Sequence, residues 1–273
     1  MGDEYLSTGF TDVDGARDIG AYSRCLSFLD ALPYYRKYKR RTYELLDLKP
    51  GVRVLDAGCG LGDDVFRMAE MVRPGGCAVG LDSSESLLGR AREDERASRL
   101  PVEFHPGDLK ALPFPDRSFS RCRIDRVLQH VSDPGRAVRE LARVLEPGGL
   151  LLAYDNDWGT FSVTSRDRKT TRALETAWCD SFTNGWIGRQ LRQHFIEAGL
   201  ADIGLYPGTS VISDFETADK VYNLRETARR AVSSGLVSRT DASRWVGELM
   251  ERTAEGTFAA ALTAYTVIGR KPA

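Results

Sequence analysis

The 273 residues predict one α/β domain built on a doubly wound, mostly parallel sheet. Two patterns carry this expectation. Short apolar runs alternate with helical periods through the middle of the chain, as in βαβ units. The first of these runs also opens into a glycine turn, Gly58-x-Gly60-x-Gly62, ahead of an amphipathic stretch. A composition of 42% hydrophobic and 28% charged residues is ordinary for a globular chain of this length, which can bury a sizeable core.

The elements follow in order. Residues 1–46 read as mainly helical. Val52–Asp56 is the first strand. After the glycines, Val65, Met68, Ala69 and Val72 form an i, i+3, i+4, i+7 stripe, and Pro74-Gly-Gly ends that helix. Cys77–Asp82 is the second strand, followed by a helix carrying Leu87 and Leu88. Val102–His105 is the third, and about Ser120–Ile124 the fourth. Asp133-Pro134 starts a helix, with Asp as N-cap and Pro at the first helical position. Val138, Leu141, Ala142 and Leu145 line its buried face, Glu146-Pro-Gly-Gly149 stops it, and Leu150–Tyr154 is the fifth strand. Ala201–Tyr206 and Ala264–Ile268 read as two further strands, with helical insertions at 158–198 and 214–256. Such insertions on a rigid scaffold are where specificity usually resides.

Charge and cysteine content narrow the function. A formal net charge of −1 lacks the electrostatic footprint of a nucleic-acid binder. The basic and aromatic run Tyr34–Arg41 is therefore read as a helix face closing over the core, in preference to an RNA contact. No apolar run reaches the length of a membrane span, and Met1–Tyr5 lacks a signal-peptide pattern. Gly2 is not a myristoylation site, because position 6 is Leu. Five scattered cysteines without a C-x-x-C pair, and three separated histidines, argue against disulfides and metal and for a cytoplasmic protein.

A glycine turn between strand and helix lets backbone approach a ligand closely. By itself it is weak evidence, although the third glycine comes one position earlier than in the dinucleotide fingerprint, which disfavours a nicotinamide dehydrogenase. Four further features give it meaning. Asp56 ends the first strand. Asp82, followed by Ser83, ends the second, where a carboxylate can accept both hydroxyls of a ribose. Gly107-Asp108-Leu109 follows the third, where a carboxylate can accept an adenine amino group. Pro147-Gly-Gly149 precedes the fifth.

On these residues the chain resembles the class I S-adenosylmethionine-dependent methyltransferases, in particular the group of ubiquinone- and menaquinone-biosynthesis methyltransferases. Val54–Gly62, Gly80–Asp82, Gly107–Asp116, Leu128–Pro134 and Arg143–Gly149 carry the likeness, which covers about residues 46–156. The resemblance implies a seven-stranded sheet whose last strand is antiparallel. It implies a lid at 1–46, a cofactor core at 47–157 and substrate caps at 158–198 and 214–256. Gly58, Cys59 and Gly60 would line the methionine part of S-adenosylmethionine, Asp82 would hold the ribose, and Asp108 with Leu109 would frame the adenine. Ile124 to Arg126, Asp125 included, would lie beside the methionine moiety.

Several residues need separate readings. Arg121 and Arg123 fall on one face of a central strand that should be apolar. Either they reach solvent at the strand's start or they pair with buried carboxylates. Arg126 either holds a cofactor carboxylate or substrate oxygen, or forms a salt bridge with a neighbour. His130 and Asp155 are the candidate general bases, set against backbone bonding for His130 and turn chemistry for Asp155. Relatives often have His-His where this chain has Gln129-His130. Trp158 and Trp186 could form an apolar wall for a flat substrate, or simply pack. The expected function is methylation, on oxygen, carbon or nitrogen, of a small molecule such as an aromatic or polyketide-like product of secondary metabolism, by a monomer or homodimer. The rivals are a cofactor-bound decarboxylase or cyclase on the same fold, and a non-catalytic binding module.

Overall fold

The computed structural model describes residues 9–15 and 18–273. The acidic opening Met1–Tyr5 and the Gly2–Leu6 motif lie outside the described residues.

Among the described residues, the helices α1 (Ile19–Ala31) and α2 (Pro33–Leu45) precede the sheet. Asp18 caps α1 by accepting from Ala21 N at 3.2 Å, and Pro33 supplies the fixed φ of the first position of α2. The core then alternates: β1 (Arg53–Ala57), α3 (Asp63–Val72), β2 (Cys77–Asp82), α4 (Glu85–Glu93), β3 (Val102–Pro106) and β4 (Phe119–Asp125). It continues through α5 (Pro134–Val144), β5 (Leu145–Asn156), the two-residue β6 (Ser162–Val163), α6 (Arg168–Asp180), α7 (Ile187–Glu197) and β7 (Ala201–Ile212). Three helices, α8 (Phe215–Tyr222), α9 (Leu224–Ser233) and α10 (Arg239–Ala254), lead to β8 (Ala260–Arg270).

The sheet runs β3-β2-β1-β4-β5-β8, with β7 pairing the other edge of β8. The first five strands are parallel and β8 is antiparallel to its neighbours. Seven long strands match the expected sheet. The short β6 is an eighth, continuing the line of β5 along β8. Apolar side chains of β1, β2, β4 and β5 pack against α5 and α7 in one core, and an aromatic-rich second core lies under α6 and α8–α10.

Two strands outrun their sequence signals. β7 passes through Pro207-Gly208 to Ile212, because among the described residues it is an edge strand paired with β8 alone, so a missing N–H is tolerated there. β5 begins at Leu145, which pairs with Phe119 before the register shifts around Pro147-Gly148.

Of the two arginines of β4, Arg123 pairs with buried carboxylates as one reading expected, whereas Arg121 does not reach solvent but is largely buried against backbone carbonyls. Arg121 donates to Leu46 O at 2.5 Å and Ser120 O at 2.8 Å near the start of the strand. Arg123 is fully buried and paired with three carboxylates: Asp125 at 2.5 Å, Asp56 at 2.9 Å and Asp64 at 3.2 Å. Lys39 of α2 reaches Asp64 at 2.8 Å and Asp30 at 3.2 Å, and Tyr43 also donates to Asp64. The cluster therefore ties both N-terminal helices to the strand ends that form the site.

Candidate active site

A cavity of about 810 Å³ lies at the carboxyl ends of the parallel strands, within the size range of small-molecule sites. Its floor is the turn after β1. Gly58 has φ +78°, and a Cβ there would stand 2.4 Å from Val127 Cγ2, so only glycine lets the turn pass under the β4 loop. Gly58 N and Cys59 N both donate to Leu81 O, at 2.7 and 3.0 Å. Gly60 N donates to Asp82 Oδ2 at 2.7 Å, and Ser84 N to Asp82 Oδ1 at 2.9 Å. Each Asp82 oxygen keeps a lone-pair site for a ligand hydroxyl. Burial pushes the Asp82 carboxyl above its ordinary value, against the backbone hydrogen bonds that favour its charge.

Further along, Ser83, Asp108 and Leu109 line the same cavity. Asp108 accepts from Lys110 N at 2.8 Å and leaves one oxygen without a backbone donor. On the β4 side, Asp125, Arg126 and His130 complete the wall. The turn suits an adenosyl amino acid better than a dinucleotide. The first turn of α3 carries Asp63 and Asp64, whose carboxylates already complement the helix N-terminus where a diphosphate would need to sit.

Phe10 and Val13, from the turns before α1, and Leu26 and Leu29 of α1 form the roof and were missed from sequence, since apolar residues look alike whether they face a core or a ligand. The run Tyr34–Arg41, read as a helix face closing over the core, supplies none of the residues that line the cavity. Asp14 holds the roof to the ribose-side loop by accepting from Ser84 Oγ at 2.5 Å and Glu85 N at 2.9 Å. Its bond from Ser84 holds the Asp14 carboxyl below its usual value.

Six of the expected residues stand differently. Asp56 does not line the cavity, because its side chain turns to the α2–α3 face and pairs with Arg123. Cys59 packs backwards over Gly80, whose missing side chain makes room for it, and burial pushes its thiol well up. Asp155 is 1% exposed and accepts from Gln129 N at 3.2 Å and Asn156 N at 3.0 Å, behind the cavity wall. Trp158 is buried behind the wall, stacked on Phe182 at 4.3 Å. Trp186 is exposed, with the Arg189 guanidinium 4.7 Å from its ring centroid, so the two tryptophans form no common wall. His130 lines the cavity, but one of its nitrogens is committed.

That commitment follows from Gln129. Trp158 Nε1, which can only donate, bonds Gln129 Oε1 at 2.8 Å. Gln129 Nε2 therefore donates, to Arg126 O at 3.1 Å and to His130 Nε2 at 3.0 Å. His130 Nε2 must be the bare acceptor and Nδ1 must carry the proton, which leaves Nε2 unable to serve as a base toward a ligand. Nitrogen-15 spectra of the protein are expected to report the Nδ1–H tautomer for His130, shifting when Gln129→Leu removes the donor. An Nε2–H signal in the native protein would contradict the hydrogen-bond assignment.

Asp155, holding two backbone N–H groups behind the wall, is not among the residues that line the cavity. Burial pushes its carboxyl up to about 8, so it holds a proton at neutral pH. With the folded value raised above the unfolded one, its contribution is fully present below about pH 4 and fades as pH rises toward 8. Asp155→Asn removes this titration. The stability of the variant relative to the native protein is expected to rise by roughly 1 kcal/mol per pH unit between those limits, read from urea unfolding at several pH values. A pH-independent difference would show that Asp155 is not the titrating group.

Strand order, glycine turn and the two cavity carboxylates define a class I methyltransferase architecture. A methyltransferase-domain family matches residues 48–229, more than half of the chain, and the protein belongs to that family. It is 40% identical over 250 residues to an uncharacterised 37.1 kDa protein in transposon TN4556 of Streptomyces fradiae, covering 90% of this chain and 71% of that one. It is also 40% identical over 120 residues to a demethylmenaquinone methyltransferase of Listeria welshimeri, covering 44% of this chain. The chain thus spans about half (51%) of that enzyme's length. Among solved structures, the YcgJ protein from Bacillus subtilis superposes with a TM-score of 0.63 at 20% identity, covering 87% of this chain and 99% of that one, a likeness of fold.

Proposed function

We propose that this methyltransferase binds S-adenosylmethionine in the cavity and methylates a small aromatic or polyketide-like molecule. The observation that carries the reading is Asp82, fixed by Gly60 N and Ser84 N with a lone pair on each oxygen left for a ribose. The residues fit the cofactor. Gly58 and Gly60 admit its amino-acid part, Asp108 and Leu109 suit the adenine, and Asp125 and Arg126 flank the methionine end. When bound, the cofactor supplies a methyl group on a sulfonium, already activated for displacement.

The protein's share of the work is alignment and exclusion of water. The roof residues Phe10, Val13, Leu26 and Leu29 would close over the reacting groups as a lid, with residues 47–157 as the cofactor core and 158–198 and 214–256 as caps. His130 lines the cavity and would pack beside the acceptor. His130 Nε2 is taken by Gln129 and Asp155 stands behind the wall, so a phenolic or enolic acceptor would react as an anion that has lost its proton to water. Support for a small acceptor comes from the size of the cavity and from the apolar character of the roof. A cytoplasmic place in secondary metabolism fits the five free cysteines, and among the described residues no helix is long and apolar enough to cross a membrane.

The test is turnover with methyl-labelled cofactor and a panel of phenolic and enolic acceptors. Label in the acceptor with matching release of S-adenosylhomocysteine supports the proposal. Conversion of an acceptor without that release would favour a decarboxylase or cyclase.

A further inference from the structure

Arg126 is a buried cation that the protein does not satisfy. Its side chain is 15% exposed and lines the cavity. Its Nε lies 3.5 Å from Asp125 Oδ1 without a hydrogen bond, and none of its guanidinium N–H groups donates to a described residue. The Asp125 carboxylate is already taken by Arg123 at 2.5 Å and by the Tyr38 hydroxyl at 3.2 Å. The Tyr35 ring, 5.0 Å from the guanidinium, adds a π-face but no acceptor.

Three positions earlier, Arg123 shows how this fold treats a buried guanidinium that serves structure alone: three carboxylates within 3.2 Å. A desolvated charge without comparable partners is costly. Arg126 is nevertheless held firmly. It has φ +57°, rare for a residue with a Cβ, and the backbone is pinned by Arg126 N donating to Tyr154 O at 2.7 Å and by Gln129 Nε2 donating to Arg126 O. Strain of this kind, fixed from both sides, belongs to sites where a side chain is aimed at something.

We propose that Arg126 binds a carboxylate of a ligand in the cavity, donating to it through the planar fork of the guanidinium. This rests on the cavity being the methyltransferase site. The carboxylate belongs either to the amino-acid end of the cofactor or to the methyl acceptor, and the two sources separate experimentally.

The experiment uses the full chain, native and as Arg126→Met and Arg126→Lys, with three probes followed by calorimetry. S-adenosylhomocysteine carries the amino-acid carboxylate. Methylthioadenosine is the same nucleoside thioether without it. Benzoate, added to protein saturated with S-adenosylhomocysteine, stands for an acidic acceptor. If the cofactor supplies the carboxylate, Arg126→Met weakens S-adenosylhomocysteine by at least tenfold and leaves methylthioadenosine within twofold. If the acceptor supplies it, both nucleosides bind as before and benzoate binding is lost. Arg126→Lys, which keeps the charge without the fork, falls between native and Met in the affected probe, and serves alone should the Met variant not fold. Unchanged binding of S-adenosylhomocysteine together with no Arg126-dependent benzoate binding overturns the proposal. Failure of both nucleosides to bind the native protein would instead overturn the reading of the cavity itself.

Discussion

Asp82→Ala is expected to cost at least a hundredfold in affinity for S-adenosylhomocysteine. The carboxylate would accept two ribose hydroxyls, and hydrogen bonds to a charged group contribute about 1.5–3 kcal/mol each. The variant also loses the acceptor that fixes Gly60 N and Ser84 N, at 2.7 and 2.9 Å, so the glycine turn itself loosens. Asp82→Asn separates the two effects. It keeps one oxygen and can hold one backbone N–H, and should retain more of the stability than of the binding. Calorimetric titration reads the affinity, and thermal unfolding without ligand reads the stability. An Asp82→Ala protein that binds within threefold of native would place the ribose elsewhere.

Arg123→Met should destabilise the fold by about 3–5 kcal/mol, the usual cost of removing one member of a buried charge cluster. It leaves Asp56, Asp64 and Asp125 without their shared cation, with Lys39 and Arg67 as the remaining cations near Asp64. Burial already pushes the Asp56 carboxyl up in the native protein, with Arg123 as the main opposing influence. Without Arg123 that carboxyl rises further. A raised folded value means the stability is present at low pH and is lost as pH rises through that value; the native Asp56 carboxyl is pushed up to about 6, so the deficit of the variant should grow as pH rises above about 6. Adding Asp56→Asn should recover part of it. Denaturant unfolding at pH 5 and pH 8 tests both statements. A loss below 1 kcal/mol that is independent of pH would mean that the cluster is not held together by Arg123.

How much of this was legible in the sequence depends on how local each signal is. Asp82 ends its strand, Asp108 follows its own by two residues, and Gly58 sits in a turn that only glycine fits, so a few neighbouring residues suffice to recognise them. Asp56 was legible as a strand-end carboxylate but not as a structural one, because its meaning depends on Arg123, 67 positions away. The two arginines of β4 announced an anomaly without its solution, since Asp64 and Asp125 come from a helix start and from the end of the strand itself. Phe10, Leu26 and Leu29 were invisible as site residues, because an apolar side chain carries no mark of what it faces. Trp158 and Trp186 were distinctive residues with an unread direction. One turned inward to fix Gln129, and through it the tautomer of His130, and the other lies on the surface. The long β7 was hidden by Pro207, which its edge position tolerates.

The central claim is that the cavity over Gly58, Asp82 and Asp108 is an S-adenosylmethionine site. The most direct measurement is calorimetric titration of the native protein with S-adenosylhomocysteine, and with NAD in a parallel cell. One saturable site for S-adenosylhomocysteine, competed by S-adenosylmethionine and absent for NAD, is the expected result. No heat with S-adenosylhomocysteine, or binding of NAD in its place, would contradict the account.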